Sequence, residues 1–269
     1  MTKILLENID NVPALSQSVQ EVEKVYQDPE STLEDMQKAV EKDPLLVASI
    51  LKIVNAPMYG LASAVTDIKQ AISLLGKDAV RTFVLSTVVD TNFTIDLSPY
   101  NMTQEQFAKA CQTQMSLMIN WVGRKTPKSL SVLGPASFLV DIGRVIIAKT
   151  LIEDNKTDII QKALLAGEDI STAEKTACGA QTTDVTATLF TKWELDPNIN
   201  HIIRYSDDPE GTSLPEEITM AAQLKAVRET VLPNGDITEE SVAVAKDTIE
   251  EFSLDMEGYE KALDKVLGD

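Results

Sequence analysis

Apolar residues recur along this chain at steps of three and four, the period of helices that each bury one face. Leu15, Val19, Val22 and Tyr26 share one such stripe. Leu33, Met36 and Val40 form a second, after Ser31 and Thr32 as candidate N-caps. Asp43-Pro44 sets a capping carboxylate before a proline at the first helical position, and Leu46, Ile50 and Val54 line the helix it starts. The run from Asn55 to Gly60 contains Pro57 and breaks the pattern, so it predicts a turn or loop. Ile68, Ile72 and Leu75 then predict a short helix ended by Gly76, and Val80, Val84 and Val88 the next. Thr87-Val88-Val89 is β-branched, but no neighbouring segment reads as a partner strand, so the helical period prevails.

The stretch from Asp96 to Met102, polar and holding Pro99, is the best candidate boundary. After it, Phe107, Cys111, Met115, Met118 and Val122 predict a long amphipathic helix, and Pro127 marks a turn. A very apolar helix is expected from about Leu133 to Thr150. Further stripes follow at Ile159, Ala163 and Leu164, closed by Gly167, and at Val185, Leu189 and Trp193. Asp196-Pro197 opens a helix toward Tyr205, and residues 207–213 form an acidic loop. Met220, Leu224, Val227 and Val231 mark another helix, and Pro233-Asn234-Gly235 turns the chain. Val242, Ala245, Ile249 and Phe252, then Tyr259, Leu263 and Val266, mark the last two. The fold class is all-α, in two helical subdomains, 1–100 and 101–269.

Charge narrows the function classes. The 269 residues hold 24 Lys plus Arg against 42 Asp plus Glu, a net charge of −18. That field repels phosphate backbones and anionic lipid, so neither a nucleic acid nor a membrane is an expected partner. The two cysteines, Cys111 and Cys178, read as buried thiols rather than a disulfide framework. The first residues lack the apolar core of a signal peptide. Val132 to Ala148, the most apolar stretch, is interrupted by Asp141 and Arg144, short of the roughly 18 residues of a membrane span. A cytoplasmic location is the expectation.

Three segments, in order, resemble the HDOD family, the HD-related output domain of bacterial signalling proteins. The first spans about residues 12 to 90 and includes Asp43-Pro44-Leu45-Leu46, the Asn55–Gly60 loop and Ala71-Ile72-Ser73-Leu74-Leu75-Gly76. The family typically reads asparagine, serine, alanine, tyrosine, tyrosine, glycine in that loop; Asn55, Tyr59 and Gly60 match, Pro57 and Met58 do not. The second is Phe138 to Val145, around Asp141-Ile142-Gly143. The third runs from Gly179 to Pro209 and includes Trp193, Arg204 and Tyr205. The resemblance covers about residues 12–210 and implies an HD-domain-like helical bundle with an N-terminal helical subdomain. The last sixty residues match no motif and read as additional helices.

HD phosphohydrolases hold catalytic metal with histidine and aspartate, which bind such ions and lower the pKa of bound water. At the places the resemblance marks for ligands, this chain has Val140, Thr182, Ser206 and Asp207. None is histidine, and the single histidine, His201, lies outside them. No metal and no cofactor are therefore expected, a magnesium site from Asp141 and Asp207 being the residual metal reading. Asp141, inside an apolar run, is expected to cap a neighbouring helix or pair with Arg144 or Arg204. Asn55, Tyr59, Arg81, Asp141, Arg144 and Arg204 are the candidate binding residues, with core packing, capping or a salt bridge as the alternative for each. The expected function is non-catalytic: a regulatory module binding a signalling protein or a small signal molecule. The rivals are a metal-dependent phosphohydrolase acting on a nucleotide, and a sensor whose altered pocket keeps nucleotide affinity.

Overall fold

A computed structural model describes residues 1–55, 63–92, 95–123 and 127–268, and every regular element among them is helical. The first four helices are α1 (Lys3–Asp10), α2 (Gln17–Gln27), α3 (Leu33–Glu41) and α4 (Pro44–Val54). Local chemistry sets their starts. Ser16 caps α2, Thr32 and Asp35 form a reciprocal capping box on α3, and Asp43 accepts from Leu45 and Leu46 ahead of Pro44. Helix α5 (Ile68–Asn92) carries a kink at Gly76, whose φ of 83° is left-handed and non-helical. The predicted stop at Gly76 is thus a sharp bend between two helical pieces, and the Val80–Val88 stripe is helical as expected.

The rest comprises α6 (Gln104–Val122), α7 (Pro127–Leu139), α8 (Gly143–Glu153), α9 (Thr157–Leu165), α10 (Ile170–Cys178), α11 (Thr182–Lys192), α12 (Pro197–Tyr205), α13 (Pro215–Thr230), α14 (Glu239–Glu251) and α15 (Met256–Gly268). The central layer is α5, α6, α7 and α12; α2, α3 and α4 cover α5, and α8 lies between α1 and α11. The last three helices close the opposite side, α13 packing on α6, α7 and α12 and α15 on α6. One continuous core of buried apolar side chains runs from Leu5 to Leu263.

Two expectations need correction. The single helix from Leu133 to Thr150 is two, α7 and α8, separated by a turn at Val140, Asp141 and Ile142. Hydrophobic periodicity could not show the break because the turn itself is buried: Val140 is 0% exposed, Ile142 1%. The apolar stretch is also longer than expected. Ser129–Glu153 is apolar and long enough to cross a membrane by composition alone, yet 83% of its most apolar window is buried inside the protein. Its apolarity is that of a core element, with Lys149 and Glu153 exposed near its end.

Helices α1 and α10 lie outside the stripes predicted from the sequence. The main-chain N–H of Thr2 donates to the Cys178 carbonyl and the terminal ammonium to that of Gly179, docking the start of α1 against the end of α10. Both cysteines are buried, and burial pushes the Cys178 thiol up to about 11. Neither is expected to react with Ellman's reagent at neutral pH until the protein unfolds; a titratable thiol in the native state would refute this packing.

Candidate functional site

The Val140–Ile142 turn fixes the centre of the site. A helix broken inside a core leaves main-chain groups that need partners. Thr186 on α11 supplies them: its Oγ1 donates to the Val140 carbonyl at 2.8 Å and accepts from the Gly143 N–H at 2.9 Å. The approach is so close that a Cβ on Gly143 would lie 2.3 Å from the Thr182 carbonyl oxygen and 2.8 Å from the Thr186 nitrogen. Glycine is therefore required for contact rather than for a special φ.

Asp141 projects from this turn into a buried polar cluster. Its Oδ2 accepts from Gln114 Nε2 of α6 at 2.9 Å. Its Oδ1 accepts from Arg144 Nη2 at 3.2 Å and from Arg228 Nη2 of α13 at 3.3 Å. The other arm of Arg228, Nη1, donates to Asp207 just beyond α12. Asp207 also accepts from Thr183 Oγ1. One guanidinium thus bridges two carboxylates from different elements. Beside it, Glu174 of α10 is 0% exposed and accepts from Thr182 N–H, Thr182 Oγ1 and the Tyr100 hydroxyl at 2.6, 2.7 and 2.8 Å. The Arg144 guanidinium stands over the Tyr100 ring, 5.6 Å from its centroid.

Burial pushes each of these carboxyls up, and the neighbours decide the outcome. For Asp141 the Arg144 and Arg228 guanidiniums and the Gln114 amide outweigh burial and hold it below its ordinary value. Asp207 is likewise held down, by Arg228 and Thr183 against burial. Glu174 stays raised: burial prevails over Arg144, Thr182 and Tyr100. The pH consequences oppose one another. Stability from Asp141 and Asp207 is complete above their unfolded value of about 3.9 and is lost as pH falls through the lower folded values. That from Glu174 is complete below about 4.3 and is lost as pH rises through its higher folded value. The gap in urea midpoint between wild type and Asp141→Asn should therefore narrow as pH drops from about 5 to about 3. A gap independent of pH would remove the ion pairs from the account.

The donor set does not suit a metal. Val140 offers no donor atom, and Thr182 Oγ1 is bonded to Glu174. Ser206 is 0% exposed and donates to the Ile203 carbonyl at 2.9 Å. Asp141 and Asp207 face a cation already, the Arg228 guanidinium. Asp184 completes the capping box of α11. Among the described residues, no group of three or more His, Cys, Asp or Glu is arranged to hold an ion.

Of the six candidate residues, Asp141 and Arg144 pair as expected. Arg204 is exposed at the end of α12 and is not among Asp141's partners; Arg228 takes the place foreseen for it. Arg81 is 0% exposed, in a bidentate pair with Glu23 at 2.8 Å, with Asp196 at 3.7 Å and the Tyr26 ring 4.1 Å away. It braces α2 against α5. Glu23 also lines an open cleft of about 340 Å³ with Leu15, Lys24, Lys192 and Trp193. Asn55 ends α4 and ties it to Val65: its Nδ2 donates to the Leu51 and Val65 carbonyls, and its Oδ1 accepts from the Val65 N–H at 2.7 Å. Tyr59 and Gly60 lie outside the described residues. His201 is partly exposed and pairs with Glu217 at 2.9 Å.

Gln114, Glu174 and Arg228 escaped the sequence reading. Arg228 lies next to Val227 in the Leu224–Val227–Val231 stripe, and no local pattern marks it as buried. Glu174 sits on a helix built of small residues, whose one clear signal is the Asp169 cap.

The relatives of this chain bear on the arrangement. A family model described as the HDOD domain matches residues 12–209. A crystal structure from Shewanella amazonensis SB2B, named as a candidate phosphohydrolase, superposes with a TM-score of 0.70 at 20% identity, covering 99% of this chain and 96% of that one. Another, from Marinobacter aquaeolei VT8 and named as a candidate signal transduction protein, gives 0.66 at 17% identity over 100% of this chain and 61% of that one. At these identities the likeness shows the fold. An uncharacterized protein of Treponema pallidum (strain Nichols) is 26% identical over 82 residues, 30% of this chain but only 16% of that protein's length.

Proposed function

Because this chain belongs to the HDOD family, we propose that it is a regulatory module of signal transduction, binding a protein partner or a small signal molecule without turning over a substrate. One observation carries the reading. Each side chain at the ligand positions implied by the family resemblance either has no donor atom, as Val140, or is engaged within the protein, as Thr182, Ser206 and Asp207 are. Water activation on a metal needs donors that are free to bind it. A net charge of −18 favours a partner with a basic face over nucleic acid or anionic membrane. We take the setting to be the bacterial cytoplasm.

The test is equilibrium dialysis of untagged protein against manganese, ferrous iron and zinc, followed by hydrolysis assays on nucleotides and cyclic dinucleotides. The proposal expects no stoichiometric metal and no chelator-sensitive turnover. One bound ion per chain with turnover that a chelator abolishes would establish the phosphohydrolase instead.

A further inference from the structure

The family match ends at residue 209, yet the cation at the centre of the site comes from beyond it, on α13. Arg228 is mostly enclosed, with 13% of its side chain exposed, and its two terminal nitrogens reach separate carboxylates. Those carboxylates, Asp141 and Asp207, are the acidic groups at the metal-ligand end of the family resemblance. They oppose each other: the negative charge on buried Asp141 and that on half-buried Asp207 disfavour one another, and a cation between them relieves the repulsion.

The helix that brings the arginine is held in register on both sides of it. Lys225 Nζ donates to Glu229 and to Thr248 Oγ1 of α14, whose hydroxyl in turn donates to Glu229 at 2.6 Å. Thr230 bonds the buried Tyr259 hydroxyl of α15 at 2.8 Å, and its carbonyl accepts from Ser241 Oγ. Trp121 of α6 packs edge-on against Tyr259, 5.3 Å between centroids. These contacts fix the face of α13 that meets α6, α7 and α12, and Arg228 with it.

We propose that Asp141 and Asp207 form a cation site whose resident is the Arg228 guanidinium, delivered by the C-terminal helices as an internal substitute for metal. The site's chemical class follows from its geometry. Two carboxylates reached by the two arms of one fork suit a planar guanidinium cation better than a spherical or ammonium ion. This rests on the functional reading at the same site, but it fails on a different result: a protein in which Arg228 is only a packing brace is equally non-catalytic.

Chemical rescue tests it. Full-length Arg228→Ala is melted with n-propylguanidinium, n-propylammonium or manganese at matched ionic strength, beside wild type. The expected result is that propylguanidinium alone raises the variant's melting temperature, by about 3 °C at ten times its dissociation constant, and leaves wild type unmoved. No shift, an equal shift in wild type, or rescue by propylammonium or manganese instead would overturn the assignment. Should Arg228→Ala fail to fold, Arg228→Met is compared with the neutralised Asp141→Asn, Asp207→Asn, Arg228→Met triple variant. Recovery of a cooperative melt in the triple variant supports the cation site; equal failure of both overturns it.

Discussion

Alanine at Gly143 is expected to destabilise the protein by about 3 kcal/mol, read as a lowered urea midpoint at unchanged slope. The added Cβ would sit 2.3 Å from a carbonyl oxygen and 2.8 Å from a main-chain nitrogen, both belonging to α11. Neither can swing aside as a flexible side chain could, so α8 and α11 must separate. Separation would also loosen the Thr186 bonds that satisfy the Val140–Gly143 turn, and with them the orientation of Asp141. Gly268→Ala is the control, because nothing lies within 4 Å of its Cβ position. A loss below about 1 kcal/mol for Gly143→Ala would mean that this helix contact is looser than described.

The second large effect is expected at the brace between α2 and α5. Glu23→Ala should cost about 3–5 kcal/mol, because it leaves the fully buried Arg81 guanidinium without its bidentate partner. The remaining contacts, Asp196 at 3.7 Å and the Ser131 carbonyl at 3.2 Å, do not replace two charge-assisted bonds. Replacing both residues by apolar ones of similar volume, Glu23→Leu with Arg81→Met, should cost at least about 2 kcal/mol less than the two single changes summed. Urea unfolding of the four proteins gives this cycle. Strict additivity would show that the pair is not coupled.

Much of the fold was legible because its signals are local. Asp43-Pro44, the Thr32 cap and the stripes at Leu46, Phe107 and Val185 each state a helix within a dozen residues. The buried turn at Val140–Ile142 was not, since an apolar break between two apolar helices has no periodic signature. The site divides the same way. Asp141 announced itself as a carboxylate in an apolar run, and Arg144 lies one helical turn on. Arg228 is 87 residues away from Asp141 along the chain and meets it only through the packing of α13. Spacing cannot reveal such a pair; of the two cations expected near Asp141, Arg144 is there, and Arg228 stands in place of the exposed Arg204. Asn55 stood out as the end of a helix, yet its bonds to Val65, ten residues on, have no signature in local spacing.

The central claim is that an arginine, and not a metal ion, holds Asp141 and Asp207 together. Crystals grown with excess manganese, with diffraction collected at its absorption edge, address this directly. The account predicts no anomalous peak beside Asp141 and clear density for the Arg228 guanidinium between the two carboxylates. A strong peak ligated by Asp141 and Asp207, with Arg228 turned away, would contradict it.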